Sequence, residues 1–231
     1  MIQAFVLGAV AQSSLVLSGL LPYLVRIPDR AVGLLAGAGA GALISAVAFS
    51  LIPEANAISQ LEVAGWLLVG AAVFIVLDRF IDRRFGSGGE AGPLGIVLGA
   101  VVDGIPESVI FGIQIGTGLP ISIAFLAAVI VSNVPQALAP SADLKADGWS
   151  IWRMTAMWGT VVLACGVAAA AGYFVATTLH AEDIGAVAAA IAAGGLLAML
   201  TDSLVPFAYE KGGIGAGLAT VVGFVAALAM T

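Results

Sequence analysis

Apolar residues in this chain come in runs of about twenty, separated by short breaks where charge, proline and glycine collect. The runs are Ile2–Leu24, Ala31–Pro53, Leu61–Ile81, Pro93–Gly118, Leu119–Pro140, Ile151–Thr178, Ile184–Ala208 and Gly213–Thr231. A hydrocarbon core of about 30 Å is crossed by roughly 20 helical residues. The pattern therefore predicts eight transmembrane helices, an all-α integral membrane protein whose residues 1–231 form a single transmembrane domain. The first run contains Ala9-Val10-Ala11, which has the look of a signal-peptidase site, but no basic residue precedes it and the run continues past Ser14, so it reads as a retained helix.

Composition agrees. The 231 residues are 61% hydrophobic and 10% charged, with a mean hydropathy of +1.13, so lipid is the expected solvent and little chain is left for a soluble catalytic domain. An enzyme is not expected. The single cysteine, Cys165, lies within an apolar run and cannot form an intrachain disulfide. The net charge of −6 matters less than where the charges fall. Arg26, Arg30, Arg79, Arg83, Arg84, Lys145, Arg153 and Lys211 all fall on one side if every run crosses once, and the other side carries Glu54, Glu62, His180, Glu182 and Asp183. The positive-inside rule then places both termini outside the cytoplasm in a multi-pass protein of the inner cell membrane.

A shift of 153 residues lays Ser50-Leu51-Ile52-Pro53-Glu54-Ala55 of helix 2 on Ser203-Leu204-Val205-Pro206-Phe207-Ala208 of helix 7. A shift of 29 lays Asp103-Gly104-Ile105-Pro106-Glu107-Ser108 of helix 4 on Ser132-Asn133-Val134-Pro135-Gln136-Ala137 of helix 5. Both pairs are an odd number of crossings apart, the inverted repeat expected of a secondary transporter. Recurrence of Gly, Ala, Leu and Pro by chance is the alternative.

Asp103 and Glu107 fall in the middle of helix 4, four residues apart and so on one face. An acid at that depth costs at least about 2.5 kcal/mol on insertion scales, which makes it a functional residue by default. No Lys, Arg or His lies in the apolar cores to pair with these acids, so a proton or a bound cation must. Pro106 and Pro135 remove the partners of the Val102 and Val131 carbonyls. With Ser132, Asn133 and Gln136 at a comparable depth, the helices offer oxygen ligands suited to a divalent cation. Protonated acids bonded across a kinked bundle would also account for the pattern.

The strings Ser50-Leu51-Ile52-Pro53-Glu54-Ala55, Asp103-Gly104-Ile105-Pro106-Glu107 and Ser132-Asn133-Val134-Pro135-Gln136 resemble the ZIP family of divalent metal transporters, in the same order over eight helices. The resemblance is to a divergent bacterial-type member. It implies a ZIP-like fold, a metal site on helices 4 and 5, and movement of metal toward the cytoplasm. By it, Asp103 stands where the motif has His, Glu107 where it has Glu, and Ser132, Asn133 and Gln136 at the helix 5 ligand positions. Asp202, four residues before Pro206, matches a position on the inner release path, and Glu54 belongs to the helix 2 motif. The chain departs from the family where both motif histidines are missing, Gly104 replaces Asn, Gln136 replaces Glu, and the His-rich loop is replaced by Phe85-Gly86-Ser87-Gly88-Gly89. The metal set is therefore Asp103, Glu107, Ser132, Asn133, Gln136, Asp202 and Glu54.

No resident cofactor is expected. The transported substrate is zinc, manganese or iron, and the partners are that divalent ion and the lipid bilayer, not nucleic acid. Small-xxx-small spacing at Gly37/Gly41 and Gly112/Gly116 leaves a homodimer open. A metal-independent proton or ion pathway, a non-transporting scaffold, and an intramembrane hydrolase using Asp103 with Asp202 are the rival readings. His180 with Glu182 and Asp183 reads as a solvated loop, and Cys165 as a small packing residue.

Overall fold

The computed structural model describes residues 1–86, 92–179 and 183–231, and every element within them is helical. The glycine-rich break at Ser87–Gly89, and His180 and Glu182, lie outside the described residues. Eight helical segments follow one another: α1 (Ile2–Leu24), α2 (Asp29–Ala55), α3 (Gln60–Phe85), α4 (Pro93–Thr117), α5 (Ile123–Ala146), α6 (Ile151–Leu179), α7 (Ile184–Gly212) and α8 (Ile214–Leu228). Among the described residues, α1 to α7 are long and apolar enough to cross a membrane. The chain is thus an all-α protein of the multi-pass membrane type. The eighth is apolar but has 15 residues, roughly 22 Å of helix, shorter than the expected run to Thr231.

Local chemistry sets the ends. Ser59 and Glu62 cap the start of α3 reciprocally, side chain to backbone in both directions, while Arg83 and Arg84 sit in its last turn beside the negative end of the helix dipole. Ser122 caps α5 by accepting from the Phe125 N–H, so residues 119–122, expected to open the fifth helix, form the link instead. Gly118 closes α4 at φ +74°, a left-handed conformation that favours glycine. Pro140 does not end α5, which continues to Ala146.

In α2 and α7 the α-helical ladder widens into a π-turn just before a proline. The turns run Val47–Leu51 ahead of Pro53 and Leu200–Leu204 ahead of Pro206, so the 153-residue shift carries one onto the other. A π-turn adds one residue to the turn and so tolerates a proline that cannot donate to the ladder.

Helices α1, α4 and α6 pack on one another with α5 against α1, while α2 packs on α8 and α7, and α7 on α3. Contacts of α2 with α5 and of α4 with α7 join the two groups. The glycines that left a homodimer open are used inside this chain. A Cβ at Gly41 would overlap the Thr220 carbonyl of α8, and one at Gly112 the Ala169 carbonyl of α6. Leu61, Leu68 and Val76 of α3 and Leu218, Val222 and Val225 of α8 are exposed on the outside of the bundle, as lipid contact requires.

Candidate functional site

Helix α4 carries Asp103, Glu107 and Gln114, spaced four and seven residues apart, along one face. From Asp103 to Gln114 they cover roughly 16 Å of the helix axis. Each of the three meets an amide or carboxyl group from another helix.

At the end toward Gly118, the Gln114 side chain is 1% exposed and its Nε2 donates to Glu54 Oε1 of α2 at 2.7 Å. The Gln114 Oε1 has no hydrogen-bond partner among the described residues. A small cavity lined by Glu54, Gln114, Ile113 and Ala188 lies beside the pair.

In the middle, Glu107 is 2% exposed and accepts a hydrogen bond at 2.8 Å from Gln12 Nε2 of α1. The Gln12 Oε1 accepts in turn from Asn133 Nδ2 of α5 at 2.9 Å, and the same Asn133 nitrogen donates to Ser14 Oγ at 3.0 Å. Asn133 thus donates to Gln12, and Gln12 to Glu107, in a chain of amides that ends on the carboxyl group. Helices α4 and α5 scarcely touch, and α1 stands between them, so the centre is built on three helices rather than two.

Further along α4, Gln136 Nε2 of α5 lies 3.5 Å from Asp103 Oδ2, the outer limit of a hydrogen bond, and 3.9 Å from Met199 Sδ of α7. Asp78 of α3 and Asp202 of the α7 π-turn are neighbours of each other and of Asp103. Asp103 and Gln136 are half-buried and Asp202 is exposed.

Of the residues named from sequence, Glu107 and Asn133 thus share one network, Asp103 and Gln136 meet beside it, Asp202 lies by Asp103, and Glu54 joins α4 separately. Ser132 is buried, but its hydroxyl donates to the Val129 carbonyl and its backbone packs under Gly39 of α2. Among the described residues no group of three or more His, Cys, Asp or Glu side chains is gathered in metal-holding geometry. Glu54, Glu107 and Asp103 follow one another along α4, and each has an amide nitrogen turned toward a carboxyl oxygen.

Two residues of this arrangement escape a search for charged residues and proline motifs, Gln12 and Gln114, whereas Asp78 reads from sequence as a carboxylate near a helix end and Cys165 as a small packing residue. Gln12 and Gln114 are amides inside apolar helices, where a polar side chain needs a partner, and that signal was available. The place of Cys165 depends on Gly104, since a Cβ at 104 would lie 2.7 Å from Cys165 Sγ and 3.5 Å from the Gln12 amide. The space left by the missing side chain is occupied by that sulfur and amide. No protein-family model and no curated protein sequence matches the chain.

Proposed function

We propose that this protein is a divalent-cation transporter that carries zinc, manganese or iron toward the cytoplasm. The observation that supports this best is Glu107, a carboxylate enclosed in the helix bundle, held by the Gln12 amide and, among the described residues, paired with no basic side chain. A buried anion without a counter-ion is costly, and a passing cation removes that cost. The path begins at Glu54 and Gln114, continues to Glu107 with Gln12 and Asn133, and leaves past Asp103 and Gln136 to Asp202. The direction rests on the one-sided distribution of Lys and Arg. Resemblance to the ZIP family in the helix 2, 4 and 5 strings points the same way.

A second reading, a proton pathway without metal specificity, draws on a different observation. Asp78 and Asp202 bring two further carboxyl groups close to Asp103, and neighbouring carboxyl groups inside a helix bundle can relay protons. Purified protein in liposomes separates the two. With a metal indicator and a pH indicator in the lumen, uptake of zinc, manganese or iron that Glu107→Gln abolishes supports the transporter. Lumenal acidification indifferent to metal, with no uptake of any of the three, selects the proton pathway.

A further inference from the structure

The end of the bundle that carries the basic residues has a groove with no part in the path above. It encloses about 310 Å³ between the exit of α1 and the last turns of α5. Two of its lining residues are cations, Arg26 and Lys145. The rest are apolar, with Val25, Ile27, Leu138 and Ala142 among them, and no carboxylate lines it. Lys145 Nζ is held beside the groove by donating to the Pro22 carbonyl at 2.8 Å, and it lies 5.7 Å from the Tyr23 ring centre. The Tyr23 hydroxyl donates to the Trp149 carbonyl at 3.0 Å, which ties this wall to the start of α6.

The charges have no internal answer. Neither Arg26 nor Lys145 has a carboxylate within ion-pair distance among the described residues, and Asp29, the acid nearest Arg26 in sequence, faces Lys211 at 3.8 Å. The groove lies where α1 and α5 end, and the ends of membrane-spanning helices are where lipid headgroups are met. A zwitterionic headgroup would bring its own cation toward the arginine and lysine, whereas an anionic one would not. A free phosphate would leave the apolar lining facing water.

We propose that this groove binds one anionic phospholipid, with its phosphodiester between Arg26 and Lys145 and an acyl chain along Val25, Ile27, Leu138 and Ala142. A guanidinium forks onto phosphate oxygens and a lysine adds a point charge, the combination that recognises such headgroups at membrane interfaces.

Native mass spectrometry of the purified protein, with phosphatidylglycerol or phosphatidylcholine titrated into the micelles, tests this without reference to transport. The expected result is one phosphatidylglycerol retained on the order of tenfold more tightly than phosphatidylcholine. The double variant R26A/K145A brings the two lipids to near equality, with helix content unchanged by circular dichroism. R83A/R84A, which removes the same charge from the end of α3 on the same side, keeps the preference. Equal loss in R83A/R84A would mean a diffuse field rather than a site and would overturn the proposal. So would the absence of a preference in the unmodified protein, or displacement of the lipid by inorganic phosphate at comparable concentration.

Discussion

Gly104→Ala probes the site through its packing, because the added methyl group has nowhere to go. An ideal Cβ there lies 2.7 Å from Cys165 Sγ, whereas carbon contacts relax at about 3.5–4.0 Å, so the sulfur must retreat by about 1 Å or the helices must part. Cys165 is fully buried on α6, and α6 packs closely on both α1 and α4, which leaves little room for retreat. Overpacking of this kind costs about 1–3 kcal/mol. The displaced sulfur and the new methyl group also press on the Gln12 amide, so affinity for metal falls with stability. Unfolding free energy in mixed detergent micelles should drop by that amount in G104A, stay nearly unchanged in C165A, and recover most of the loss in G104A/C165A. The double-mutant cycle isolates the contact. If G104A costs as much in the C165A background as alone, the sulfur is not what fills the space at Gly104.

Glu107→Gln abolishes metal binding by isothermal titration, while Gln12→Leu leaves the buried carboxylate without its amide donor and lowers stability by about 1–3 kcal/mol; unchanged affinity in Glu107→Gln removes that residue from the site. Cysteine at Ser150, between α5 and α6, is labelled by an impermeant maleimide only from the cytoplasm, and cysteine at Asn56 only from outside, with Cys165 silent because it is buried; the reverse pattern inverts the topology and the direction of transport. The carboxylate count balances one dication between Glu107 and Asp103, and a second would be repelled strongly at about 4 Å. Gln136→Glu therefore strengthens binding or admits a second ion, and two full anomalous peaks in metal-soaked crystals of the unmodified protein would contradict the count. With oxygen rather than histidine nitrogen among the proposed ligands, manganese competes with zinc better than at a histidine-rich site, which competition titration measures.

The hydropathy runs located the helices because lipid demands a nearly unbroken apolar surface over some twenty residues. Ile151 opens α6 as expected, and the ends at Leu24 and Thr117 agree with expectation to within a residue. Where the pattern strayed, a short-range effect had overridden it. Ser122 rather than Leu119 marks the start of α5, since a side-chain cap outweighs apolar content, and α5 runs past Pro140, where the apolar run ends. The Pro53 and Pro206 strings were visible as a repeat, but nothing in one dimension shows that each is preceded by a π-turn. The acids of the site stood out by their cost in lipid. Gln12 did not, because its role depends on α1 passing between α4 and α5, a packing order that no spacing along the chain encodes.

The bridge from Gln12 to Glu107 also fixes an order in time. These partners are 95 residues apart, and Gln12 and Asn133 are 121 apart, so at about 5–20 residues per second α1 waits roughly 5–25 s for the groups it will join. A neutral amide endures that interval in lipid at modest cost, whereas a carboxylate in the same place would bear the full burden of an unpaired ion. Helix α1, made before α4 and α5, thus brings an uncharged linker, and the acid is synthesised only after a donor for it has been made.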